Sequence, residues 1–69
     1  MLKLKLNSKF YNQTAINKAI KDYSPLGNIS FRKQDGYFVV YFNKIKSDVS
    51  EIISDEFGNY VLAQIIKDK

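Results

Sequence analysis

The side chains able to carry acid-base chemistry in this chain are seven carboxylates, Asp22, Asp35, Asp48, Glu51, Asp55, Glu56 and Asp68, and its lysines, because the sequence has neither histidine nor cysteine. That absence removes catalytic triads, thiol nucleophiles and the usual zinc sites. Each carboxylate also has a structural use: Asp35 belongs to a turn dipeptide with Gly36, Asp48 and Glu51 stand at a helix start, and the others take exposed helix positions or the chain end. Asp55 and Glu56 are neighbours, and adjacent residues on a helix point about 100° apart, so they make no shared acid-base site. The sequence reads as a non-enzyme with no catalytic residue, no metal and no cofactor.

Two other constellations point to binding. Tyr37 and Tyr41 with Arg32, Lys3 and Lys5 combine stacking surfaces with cations, the pairing that sheets use to hold single-stranded nucleic acid. Aromatic and basic residues also tolerate any half-solvated strand, and Val39 with the tyrosines could equally pack against a second copy of the sheet. The other constellation is Val61, Leu62, Ile65 and Ile66, an apolar surplus near the chain end that would need cover from a partner, a second copy or the first helix.

The elements that position these groups follow from periodicity. Leu2, Leu4 and Leu6 alternate with Lys3 and Lys5, which is a strand with one buried face. Asn12 or a nearby polar residue is placed to cap a helix over about Gln13 to Tyr23, where Ala15, Ile16, Ala19, Ile20 and Tyr23 share a side. Pro25 and Gly27 stop that helix. Two further strands flank Asp35-Gly36, the dipeptide of a two-residue hairpin turn with positive backbone angles. In that register Gln34 opposes Tyr37, Arg32 opposes Val39 and Ser30 opposes Tyr41; Ile29, Phe31, Phe38, Val40 and Phe42 form the core face.

The last helix is expected from Ser47 or Asp48, where Asp48-Val49-Ser50-Glu51 is a capping-box variant. Val49, Ile53, Phe57 and Tyr60, with Ile52 at the margin, face the sheet, and Gly58 marks a bend, a close contact or a break. The order β-α-β-β-α predicts one α+β domain over residues 1–69, a three-stranded sheet with two helices on one face. Sixty-nine residues bury only about 60% of their unfolded surface, so stability is marginal and self-association is a natural remedy.

Eleven Lys and Arg against seven Asp and Glu give a net charge of +4, a balance that permits a nucleic-acid or acidic partner without demanding one. The start Met-Leu-Lys-Leu-Lys-Leu alternates instead of forming an apolar run, so no signal peptide and no membrane span are expected, and the cytoplasm is the default setting.

The ending Glu56-Phe57-x-Asn59-Tyr60-x-Leu62, with the helix over Ala15 to Tyr23 and the Asp35-Gly36 hairpin bearing Val39 and Val40, resembles the HxsD family of the His-Xaa-Ser peptide systems. Gly58 inside the motif departs from the family pattern. The resemblance implies a small scaffold accessory to a radical-SAM peptide-modifying system, with Phe57 and Leu62 as core anchors and Glu56 and Asn59 fixing a neighbouring loop or the hairpin; it transfers no active site. The same element order is similar to the small dimerising subunit of the KEOPS tRNA-modification complex, although the Arg and Asn-Ser pattern of that family's last helix is missing. The expectation is a small non-catalytic interaction module, a possible homodimer, that binds a protein partner through Val61, Leu62, Ile65 and Ile66. The alternatives are a nucleic-acid-binding sheet using Lys3, Lys5, Arg32, Tyr37 and Tyr41, or a dimerising subunit.

Overall fold

The computed structural model describes residues 2–67, which leaves Asp68 outside the described residues. Its elements are β1 (Leu2–Asn7), α1 (Gln13–Tyr23), a single 3-10 turn (Ser24–Leu26), β2 (Asn28–Gln34), β3 (Tyr37–Asn43) and α2 (Ile53–Lys67). The strands form one sheet in the order β1-β3-β2, and β3 is antiparallel to both neighbours. The chain is α+β with the expected β-α-β-β-α order. The crossover through α1 leaves a gap between β1 and β2 that β3 fills, so β1 and β2 are both sheet edges.

Local chemistry sets the boundaries. Asn12 is extended at φ −106°, and its side chain accepts a bond from the Ala15 amide at 2.8 Å, which starts α1 where a capping residue was expected. At the hairpin, Asp35 and Gly36 have φ of 52° and 81°, the paired positive angles of a turn whose twist matches the strands. The register then pairs Gln34 with Tyr37, Arg32 with Val39 and Ser30 with Tyr41.

The start of α2 differs from the expectation. Residues 47–52 form successive turns, and the helix begins at Ile53, so Asp48 and Glu51 do not box its first turn. The Val49 amide bonds the Lys46 carbonyl and the Ile52 amide bonds the Val49 carbonyl, while the Ser50 hydroxyl takes the Ser47 carbonyl at 3.2 Å. Such short-range bonds by a serine compete with helix propagation. Asp55 and Glu56 instead lie in the first turn of α2, where the positive end of the helix dipole favours them.

Both helices pack on one side of the sheet. The core joins Leu6, Phe38, Val40 and Phe42 of the strands to Ala15, Ile16 and Ala19 of α1 and Ile53, Phe57 and Val61 of α2. Phe57 meets Tyr23 edge-on at 5.5 Å and Phe42 edge-on at 5.4 Å, the aromatic geometry that pairs a ring's edge with another's face. Gln64 follows at the next inward position, 8% exposed, and its Oε1 has no partner among the described residues, a cost of about 1–3 kcal/mol.

Gly58 does not break α2. A Cβ there would meet only the Leu4 side chain, at 3.6 Å, so the glycine is a point of ordinary contact with β1. Gly27 is different: at φ +155° its missing Cβ would lie 2.9 Å from both the Ile45 Cα and the Lys44 carbonyl oxygen. The chain leaving β3 presses against that spot, and the Lys46 amide bonds the Leu26 carbonyl at 3.0 Å. In urea unfolding, Gly58→Ala should therefore raise stability by about 1 kcal/mol, and Gly27→Ala should lower it by about 1–3 kcal/mol; equal effects would contradict these contacts.

The helices are also tied by tyrosines. The Tyr60 hydroxyl donates to an Asp22 carboxylate oxygen, and the Tyr23 hydroxyl donates to the Glu56 carbonyl at a long 3.3 Å. The bond to Asp22 and then burial raise the Tyr60 pKa above the ordinary tyrosine value, while burial and then the Glu56 carboxylate raise that of Tyr23. With folded values above unfolded ones, this stabilisation is complete below pH ~10 and is lost as pH climbs through the raised values. Thermal midpoints should fall above that pH, and less steeply in Tyr60→Phe.

Candidate nucleic-acid interface on the open sheet face

Strand alternation sends every second residue of the sheet away from the helices. Cross-strand pairing arranges these residues in three rows, Lys3-Tyr41-Ser30, Lys5-Val39-Arg32 and Asn7-Tyr37-Gln34, with β3 in the middle. All five residues expected to bind nucleic acid, Lys3, Lys5, Arg32, Tyr37 and Tyr41, thus fall on one surface. The tyrosines stand four residues apart along β3, about 13 Å at strand rise, with lysines on one flank and an arginine on the other.

The surface is not flat. Lys3, Lys5, Gln34, Asp35, Tyr37, Val39 and Tyr41 line a concavity of about 410 Å³. Val39 at its centre is only 8% exposed although its face carries no helix. Its cross-strand partners are Lys5 and Arg32, side chains long enough to lay methylenes over apolar surface while keeping the charge in water. Lys5 places its Nζ 4.6 Å from the centre of the Tyr37 ring, a cation–π contact that holds the cation beside the stacking surface. The burial of Val39 and the contributions of Gln34 and Asp35 were not assigned from the sequence. The hairpin register already placed Gln34 beside Tyr37 and was the signal that could have found it.

The open face carries Lys3, Lys5 and Arg32, with Asp35 as the carboxylate at its rim, whereas the helices expose charges of both signs, Lys18, Lys21 and Lys67 against Asp22, Asp55 and Glu56. A second copy laid face to face would press like charges together, which disfavours the sheet-to-sheet pairing considered above. Among the described residues no group of three or more acidic side chains converges to hold a metal ion, and no helix is long and apolar enough to cross a membrane.

The four apolar residues of α2 do not form one surface. Val61 is fully buried against the domain's own core and Ile65 is partly buried against it, so the expectation that Val61 faces a partner is corrected. Helical spacing carries Phe57 and Val61 to the same side, and Phe57 is held inward by two rings. Leu62 and Ile66, one turn apart on the other side, remain 40% and 64% exposed. Leu62 was expected to be a core anchor on the family resemblance, and it lies mostly outside the core.

No family model, curated protein or solved structure matches this chain.

The division within α2 is directly measurable. Val61→Ala should cost about 2–3 kcal/mol of unfolding free energy as a core truncation, and Ile66→Ala should stay within about 0.5 kcal/mol. Similar losses at both positions would mean that Ile66 is covered.

Proposed function

We propose that this chain is a small non-catalytic binding module of the cytoplasm whose open sheet face takes single-stranded nucleic acid. The observation that carries the reading is the Tyr37-Val39-Tyr41 row, flanked by Lys3, Lys5 and Arg32 and left bare by both helices. Two tyrosines supply stacking that tolerates any base, and three cations track the phosphates. A cationic concavity with one carboxylate at its rim favours a polyanion over a second copy of itself.

A second reading is docking on a larger protein through α2, the role that the HxsD resemblance implies. Leu62 and Ile66 favour it, since they are exposed apolar side chains at adjacent turns of one helix. With Val61 and Ile65 turned inward, that patch is small.

The two readings separate in solution. Fluorescence anisotropy with labelled oligothymidine should give binding whose logarithm falls with the logarithm of salt at a slope of about −2, from three neutralised phosphates. Tyr37→Ala or Tyr41→Ala should each weaken it by about 1–3 kcal/mol, and Leu62→Ala with Ile66→Ala should leave it unchanged. Absence of binding at low salt would remove the nucleic-acid reading.

A further inference from the structure

Phe10 is the most exposed large apolar side chain of the described residues, at 69%. Single exposed apolar residues are common, but the backbone carrying this one is tightly held. The Phe10 and Tyr11 amides both bond the Asn7 carbonyl at 3.0 Å, and the Lys9 amide bonds the Asn7 side chain at 2.9 Å. One residue earlier, the Ser8 amide and hydroxyl both donate to the Gly36 carbonyl, at 3.0 and 2.7 Å. The β1–α1 turn is therefore fastened to the hairpin turn on one side, and Tyr11 packs against the core on the other. Lys9 and Phe10 stand between these fixed points, both exposed.

Their position relates them to the open face. Asn7 ends the row Asn7-Tyr37-Gln34, so the turn begins on that face and at the end where Tyr37 lies. A turn closed by the Phe10-to-Asn7 bond keeps their Cα atoms within about 7 Å, and paired strand residues are about 5 Å apart. The Phe10 backbone is then at most roughly 12 Å from that of Tyr37, within reach of the next nucleotide of a strand that passes over Tyr37.

We infer that Lys9 and Phe10 form a further subsite for the same single strand, where a base leaving the sheet stacks on Phe10 and the adjoining phosphate meets Lys9. The inference rests on the nucleic-acid reading of the open face. It makes Tyr41, Tyr37 and Phe10 three successive stacking positions that continue past the hairpin end of the sheet, with Lys3, Lys5 and Lys9 beside them. An aromatic ring with a neighbouring cation is the repeating unit of such tracks, and rigid presentation lowers the ordering cost of binding.

The test compares a thymidine trinucleotide, short enough to sit on the sheet, with an octanucleotide that overhangs it. Phe10→Ala and Phe10→Leu should leave trinucleotide affinity unchanged and weaken octanucleotide binding at least about fivefold, while Phe10→Tyr should keep it. Lys9→Gln should reduce the octanucleotide salt slope by about 0.7. If Tyr37→Ala weakens both oligonucleotides and Phe10→Ala weakens neither, the subsite is wrong and the sheet face stands. If the unmodified protein binds neither oligonucleotide, the face reading fails and the subsite with it. Sedimentation with phosphatidylserine vesicles that is lost in Phe10→Ala, with oligonucleotide binding unchanged, would overturn the subsite in favour of a membrane contact.

Discussion

Phe57 is the side chain on which the arrangement depends. It has no exposed surface and places its ring edge-on against Tyr23, at the end of α1, and against Phe42, in the central strand. One residue thus joins both helices and the sheet. Its position also sets the rotation of α2, because a helix with Phe57 inward must bring Ile53, Val61 and Gln64 to the same side. Gly58 then lies beside Leu4, Tyr60 is carried to Asp22, and Leu62 and Ile66 turn outward. In a domain this small few contacts of that kind can be spared, since the core is limited by surface-to-volume scaling.

Gathering both helices on one side has a consequence for the other. The outward side chains of β1, β2 and β3 receive no layer, so whatever they bind is free to approach across the whole sheet. Lysines on an edge strand such as β1 also discourage edge-to-edge strand addition, and here they gather beside tyrosines on the middle strand. The helix layer sets three lysines against three carboxylates, so its charges cancel, while Lys3, Lys5 and Arg32 leave the open face cationic.

Much of the architecture was legible from short-range chemistry. Asn12, Pro25 and the Asp35-Gly36 pair act on their own neighbours, and they gave the bounds of α1 and the hairpin register. The start of α2 was less legible. Ser47, Asp48, Ser50 and Glu51 carry the residue types of a helix cap, but hydroxyl-to-carbonyl bonding and short-range turns took the segment, and the helix began a turn and a half later. Val39 misled in the other direction: its strand parity put it on the solvated face, yet it is buried there between Lys5 and Arg32 of the flanking strands.

The sequence by itself determined which residues share a face within each element, because strand and helix periods depend only on the backbone. That was enough to separate Lys3, Lys5, Arg32, Tyr37 and Tyr41 from the core. That β3 lies between β1 and β2 was settled only in three dimensions, since strand order is set by long-range pairing; it brings those five residues onto one surface, with Lys3, Lys5, Tyr37 and Tyr41 lining a shared concavity and Arg32 on the opposite flank. The tertiary structure likewise decided that Val61 belongs to the domain's own core and that the turn bearing Phe10 is fastened to the hairpin. Those outcomes depend on contacts between residues distant in the chain, where periodicity carries no information.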